Sequence, residues 1–215
     1  MKRPGVIASL TAAVIFLLGI LSCDNLKLDS KWRTRDLVID GNYDDWEGAL
    51  SYSEDKGATL GFINDDRNLY MCLMSADRGV VMRALSAGFL VEIDGSGKKD
   101  EELGIRFPVG GKVFSPDKPG REHEPGMRDK GAMQESLEKQ SDLFLISGGK
   151  PRLFQVSDLN KLGMAIKLGQ YMGRFVYEMQ IPLEKSESHP YAVNAVPGRP
   201  VKIKFELGEM KRRPI

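Results

Sequence analysis

Along this chain short apolar runs recur between turn signals, and in two of them apolar and polar residues alternate with a period of two, the spacing of a strand with one buried face and one solvated face. Val201-Lys202-Ile203-Lys204-Phe205-Glu206-Leu207 is the clearest case. Residues 176–181 repeat the pattern up to Pro182, which has no N–H to continue a ladder. Further strands are predicted over 37–40, 58–63, 69–75, 88–94, 103–107, 143–146, 153–156 and 163–168. Turn residues separate them: Asn64-Asp65-Asp66-Arg67-Asn68, then Gly95-Ser96-Gly97-Lys98-Lys99-Asp100, then 169–173. These segments read as three hairpins. Residues 80–86 suit a short helical turn or an irregular edge. No long amphipathic helix and no repeat of 20–50 residues is evident. The pattern predicts an all-β fold, an antiparallel β-sandwich built from 37–215 as one domain.

Two stretches break the pattern. Residues 108–140 are rich in Gly, Pro and charges of both signs, and poor in large apolar side chains. They read as one long polar loop insert, with a short helix allowed over 131–139, because strands of the same style resume after it. The other exception is the N-terminus. Lys2 and Arg3 precede an almost unbroken apolar run over 5–21, which ends at Ile20-Leu21-Ser22-Cys23. This resembles the lipobox of bacterial lipoproteins. The resemblance implies a signal peptide over 1–22 and acylation of Cys23, palmitate included, with membrane lipid as the partner held through that residue. A plain signal peptide or an uncleaved anchor are the alternatives, although the run is barely long enough to span a bilayer. A lipoprotein cysteine carries more than one chain, which makes attachment stable. The globular part would then face the periplasm or exterior from the cell membrane or outer membrane. Asp24 resembles the inner-membrane retention signal of enterobacterial lipoproteins. Residues 23–36 read as the lipidated cysteine and its tether. Trp32 within it either packs on the domain edge or rests at the membrane interface.

Charge narrows the partners. Loss of Lys2 and Arg3 with the signal takes the formal charge from +1 to −1, which argues against nucleic acid and against a polybasic membrane patch. With Cys23 acylated, Cys72 is the only other cysteine of the two. It sits in an apolar run and reads as a small buried hydrophobe, with no disulfide framework and no cysteine-based zinc site.

The stretch Val38-Ile39-Asp40-Gly41-Asn42-Tyr43-Asp44-Asp45-Trp46 reads as the first corner of the sandwich. Asp40-Gly41 followed by Asp45-Trp46, the turn-strand Asp66-Arg67-Asn68-Leu69-Tyr70, the strand over 88–94, Tyr177-Glu178-Met179-Gln180-Ile181-Pro182-Leu183 and the closing Phe205-Glu206-Leu207-Gly208 together resemble carbohydrate-binding module family 9 and its DOMON-like relatives. That resemblance covers most of the chain beyond Leu37 apart from the insert. It implies a jelly-roll or immunoglobulin-like two-sheet architecture and, in sugar-binding members, a ligand held between two exposed tryptophans. Only Trp32 and Trp46 are present. Trp46 belongs to the corner and is expected in the core, so the paired-tryptophan clamp is missing. Tyr43 and Tyr171 are the candidate ligand-binding residues, with Tyr52, Phe114 and Tyr191 as further aromatic positions.

The chemistry beyond binding is sparse. Sugar-binding relatives carry structural calcium, and Asp94 and Asp100 flank a Gly-rich turn that offers carboxylate oxygens, without the full calcium-loop pattern. A solvated hairpin tip is the plainer reading, and no cofactor is expected. Some DOMON-like relatives hold haem through Met with His or Lys. Here the two histidines, His123 and His189, lie in loops, and no Cys-x-x-Cys-His is present. No Gly-x-Ser-x-Gly or His-Glu-x-x-His occurs, and no pair of carboxylates is singled out. The expectation is a non-enzyme: a binding module for a glycan or envelope component, or alternatively a structural lipoprotein that docks another envelope protein.

Overall fold

A computed structural model describes residues 27–54, 57–111 and 128–208, with side chains in the helix of the insert described from Met133 onward. Cys23, the signal segment and Phe114 lie outside the described residues. The chain is mostly β and sandwich-like, with two sheets. In order its elements are β1 (Lys31–Trp32), β2 (Leu50–Ser53), β3 (Ala58–Asn64), β4 (Asn68–Ser75), α1 (Arg78–Ala87), β5 (Phe89–Asp94), β6 (Leu103–Arg106), α2 (Arg128–Glu138), β7 (Asp142–Ser147), β8 (Lys150–Gln155), β9 (Ala165–Tyr171), β10 (Arg174–Pro182) and β11 (Lys202–Leu207). The first sheet runs β1-β3-β4-β10-β9, with β2 also on β3, and the second runs β11-β5-β6-β7-β8. Every pairing is antiparallel except that of β1 with β3.

The three predicted hairpins form as β3–β4, β5–β6 and β9–β10, and β7–β8 makes a fourth. In the first, the Asp65 carboxylate accepts from the N–H groups of Arg67 (2.9 Å) and Asn68 (2.7 Å), an Asx turn of the kind its composition predicts. In the third, Met172 and Gly173 both have positive φ, 48° and 76°, as a tight two-residue hairpin needs.

The main core lies between the sheets. Leu69, Met71 and Leu73 of β4 and Phe175, Tyr177, Met179 and Ile181 of β10 belong to the same cluster as Val91, Ile93, Leu103, Ile105, Leu143 and Leu145 of the second sheet. The connection from β4 to β5 changes sheets through α1, a full ten-residue helix rather than a single turn. Asp77 caps it by accepting from the N–H groups of Gly79 and Val80. Val81, Ala84 and Leu85 fill the core, and Gly88 stops the helix at φ 91°. The insert also contributes to the core, because Met133 and Leu137 of α2 are buried in it. The segment over 186–200, whose composition reads as surface loop, buries Tyr191, Ala192 and Val193. There Val193 N–H donates to Pro182 and Ala195 N–H to Leu183.

Two local expectations are overturned. Residues 37–40 form no strand, and residues 31–32, inside the expected tether, do. The reason lies on the outer face of the first sheet. Ile63, Tyr70, Cys72, Met74 and Val176 point there and make a second cluster with Trp46, backed by Leu37, Ile39, Ala49 and Leu50. The segment over 37–50 is thus a third layer lying across the sheet. Leu37, Ile39 and Trp46 pack on the sheet, while the N–H groups of Val38, Asp40 and Gly41 donate to carboxylates instead of to a neighbouring strand. The fit is close: a Cβ on Gly169 of β9 would stand 2.0 Å from the Gly41 carbonyl oxygen. Gly169→Ala therefore pushes the corner off β9 and is expected to destabilise the protein by about 2 kcal/mol. Urea denaturation should show a lower midpoint at an unchanged slope, and an unchanged midpoint would contradict the close packing of the corner.

Candidate functional site

The site is built where the corner meets the β9–β10 turn, and its foundation is Glu178. This residue sits mid-strand on β10, facing the covered outer side, and is completely buried. One carboxylate oxygen accepts from the backbone N–H of Gly41 (2.6 Å) and of Asp40 (3.1 Å). The other accepts from the indole N–H of Trp46 (2.6 Å). Three donors converge on one acceptor group, and none of them is a cation. Burial pushes the Glu178 carboxyl up to about 7. The N–H groups of Gly41 and Trp46 pull the other way, and the Asp40 carboxylate adds to the rise. Burial, then the Glu178 charge, raises the thiol pKa of Cys72, its register partner on β4. Cys72 is thereby an inert core residue.

The corner closes on itself above this point. Asp40 accepts from Asn42 N–H (2.9 Å), Asn42 accepts from Asp44 N–H (2.8 Å), and Asp45 accepts from Val38 N–H (3.0 Å). This ladder of short side chains presents Tyr43 and Asp44 toward β9. Tyr43 meets Tyr171 edge to face, with ring centroids 5.2 Å apart at 80°. The Tyr171 hydroxyl donates to Asp44 at 2.7 Å across 127 positions of sequence. That hydrogen bond raises the Tyr171 pKa, and burial and the Asp40 charge act in the same sense. Both rings are half-buried, and Met172 beside them is exposed. The two tyrosines singled out from the sequence therefore come together. Their surroundings offer apolar ring edges and carboxylate and amide oxygens, and no nucleophile with a base.

The other sequence candidates do not join them. Tyr191 is buried and packs edge-on against Phe154 in the main core. Tyr52 stands exposed on β2. Asp94 accepts from Gly97 N–H and closes its own hairpin. Asp100 lies exposed in the 3-10 turn Lys99–Glu101, whose Glu101 holds Lys98 and Asn194. Among the described residues no three His, Cys, Asp or Glu side chains gather so as to hold a metal ion. His189 is near Ser186, but the Ser186 hydroxyl accepts from the backbone N–H of His189 itself, which makes it a loop clasp.

Sequence reasoning missed Glu178 as the hub, since its place in an alternating strand reads as solvated. It also missed a clasp at the far edge of the first sheet. Arg33 pairs with Asp65 (3.1 Å) and donates to the Tyr70 hydroxyl (2.9 Å), which in turn donates to Asp65 (3.0 Å). Burial would raise the Asp65 pKa. The N–H groups of Arg67 and Asn68, the Tyr70 hydroxyl and Arg33 outweigh it, and the net direction is down. Beside this clasp is an open cleft of about 450 Å³ lined by Trp32, Arg35, Leu37, Ala49 and Ile63 among others.

Fold and site together define a two-sheet, sandwich-like β protein with a covered outer face and an aromatic pair at one corner. No family model, curated protein or solved structure matches the chain. No helix among the described residues is long and apolar enough to cross a membrane.

The buried Glu178 makes stability depend on pH. A carboxyl whose folded pKa lies above its ordinary value of 4.5 holds more proton when folded. Its contribution is complete below about 4.5 and is lost as pH climbs through about 7. Unfolding free energy is expected to fall by roughly 3 kcal/mol over that window. Glu178→Gln, whose amide cannot accept from all three donors, should be less stable by about 2 kcal/mol at low pH and lack the slope. Chemical denaturation from pH 4.5 to 8 checks both, and equal slopes in the two proteins would refute the assignment.

Proposed function

We propose that this chain is a membrane-anchored extracytoplasmic lipoprotein. Its sandwich is a non-catalytic binding module of the carbohydrate-binding module family 9-like, DOMON-like kind that takes a glycan or related envelope component. The observation that carries the binding reading is the meeting of Tyr43 and Tyr171 at a solvent-facing corner lined with carboxylate and amide oxygens. Ring faces and edges pack on the apolar faces of a sugar, and oxygens at their rim accept from its hydroxyls. The rings are set by a rigid corner rather than by a long loop, so little ordering is lost on binding. The lipobox-like Ile20-Leu21-Ser22-Cys23 supports the anchor.

A second reading, docking of an envelope protein, is favoured by a different surface. The register places Leu90, Phe144, Ile146, Pro151 and Leu153 on the outer face of the second sheet, and Leu153 is 59% exposed. An apolar stripe of this kind suits a protein contact.

Three experiments test these readings. Metabolic labelling should place palmitate on the protein, and Cys23→Ala should abolish the label and the membrane retention. A labelled Cys23→Ala variant would rule the anchor out. Glycan arrays and polysaccharide pull-downs should show saturable binding that weakens at least tenfold in Tyr43→Ala and Tyr171→Ala variants that remain folded. Binding unchanged in both variants would remove this corner as the site. Crosslinks to a protein partner lost in Leu153→Asp, with no glycan bound, would favour the second reading.

A further inference from the structure

The tether is not a free linker where it reaches the domain. β1 joins the edge of β3, with Lys31 opposite Ile63 and Trp32 opposite Asn64. Arg33 N–H donates to the Asn64 carbonyl (2.8 Å), Ser30 to the Asn64 side chain (2.8 Å), and the Arg33–Asp65–Tyr70 clasp holds the next residue. Arg33 also lies over the Tyr70 ring, 5.5 Å from its centre. Everything around Trp32 is pinned, yet its own ring is 61% exposed. An indole open to solvent on a strand so held needs a reason, and it lines an open cleft together with the apolar Leu37, Ala49 and Ile63.

We infer that the face bearing Trp32 and its cleft lies on the membrane surface, with the indole seated among lipid headgroups, so that the sandwich stands in one fixed orientation. This rests on the lipid-anchor reading of Cys23. Three observations carry it. The eight-residue step from Cys23 to Lys31 reaches at most about 29 Å, so the point where the chain meets the domain stays within that distance of the bilayer. Tryptophan is the side chain favoured at the headgroup level, where its apolar ring and polar N–H are both accommodated. The charges nearby balance, so nothing repels a lipid surface. Arg33 and Arg35 pair with Asp65 and Glu47, and the exposed Lys27 and Lys31 are matched in number by the exposed Asp29 and Asp36. The contact is therefore chiefly interfacial and only modestly electrostatic. With that edge down, the Tyr43–Tyr171 corner, which is built on β9 at the opposite edge of the first sheet, is carried away from the membrane toward whatever it binds.

The two tryptophans make the test direct, because Trp46 is fully buried and only Trp32 can report contact with lipid. The full chain is expressed, recovered in its processed form and reconstituted into vesicles of phosphatidylcholine with or without phosphatidylglycerol. The lipids are brominated either near the headgroup or near the chain end. Shallow bromines should quench the Trp32 emission about twofold and deep bromines much less. Aqueous iodide should lose access, and Trp32→Phe should abolish all three effects. Mass analysis of Cys23 in the same samples reads the anchor separately. An acylated protein whose Trp32 is open to iodide and untouched by bromines overturns the inference and leaves the anchor standing. If Cys23 carries no lipid, the same protein is added to the vesicles from solution. Sedimentation with them that is reduced about tenfold by Trp32→Ala, and little by omission of the anionic lipid, supports the docking face alone, and no sedimentation, or sedimentation unchanged by Trp32→Ala, overturns it.

Discussion

The carboxylate of Glu178 is the point on which the first sheet and the corner depend. A charged or protonated carboxyl buried without a cation is tolerable only if its oxygens are met by donors. Here the donors come from a segment more than 130 residues earlier, at Asp40, Gly41 and Trp46. The requirement runs both ways. Without Glu178 the N–H of Gly41 and the indole of Trp46 would be buried with no partner. Without the corner the carboxylate would sit on an uncovered sheet face. The glycine at 41, with φ 90°, allows the backbone to turn its N–H inward, and Gly169 leaves room for the approach.

From that contact the third layer follows. Once Trp46 is fastened over Gly61 and the outer faces of β4 and β10, both central strands of the first sheet are buried on both sides. The second sheet stays two-faced, inward apolar and outward mixed, as the alternation along β5 and β11 shows. The two sheets thus have different surfaces to offer. One presents an aromatic corner at its β9 edge and a pinned strand at its β1 edge. The other presents an open face with an apolar stripe. The proposed binding at the corner, membrane docking at the opposite edge and protein contact on the open face would make no competing demands on the same residues.

Much of the architecture was legible because it rests on local signals. Short apolar runs, alternating in β10 and β11, located β3 to β11 to within three residues at either end, and turn chemistry located the hairpins, since Asn, Asp and Gly clusters have a direct conformational effect. Tyr43 and Tyr171 could be singled out as polar-tipped aromatics beside turns. Their pairing, and the separation of Tyr191 from them, depended on which strands became neighbours. Glu178 was hidden for a related reason. Alternation distinguishes two faces of a strand but assumes that the polar one is wet, and only the covering layer shows otherwise. Residues 37–40 were misread because a short apolar run looks alike whether it joins a sheet edge or lies across a sheet face. β1 was missed because two residues carry no period.

The sequence by itself determined the strand pattern, the turns, the mixed and nearly neutral composition, and the apolar N-terminal run ending at a cysteine, all of which are properties of residues and their near neighbours. Only the tertiary structure decided that the corner is a third layer, that a glutamate in an ordinary-looking strand is its anchor, that residues 31–32 form an edge strand with an outward tryptophan, and that the insert lends a helix to the core. These are consequences of contacts between distant segments. Their cost and gain depend on burial and on the partners available to each polar group, and neither is set until the sheets are assembled.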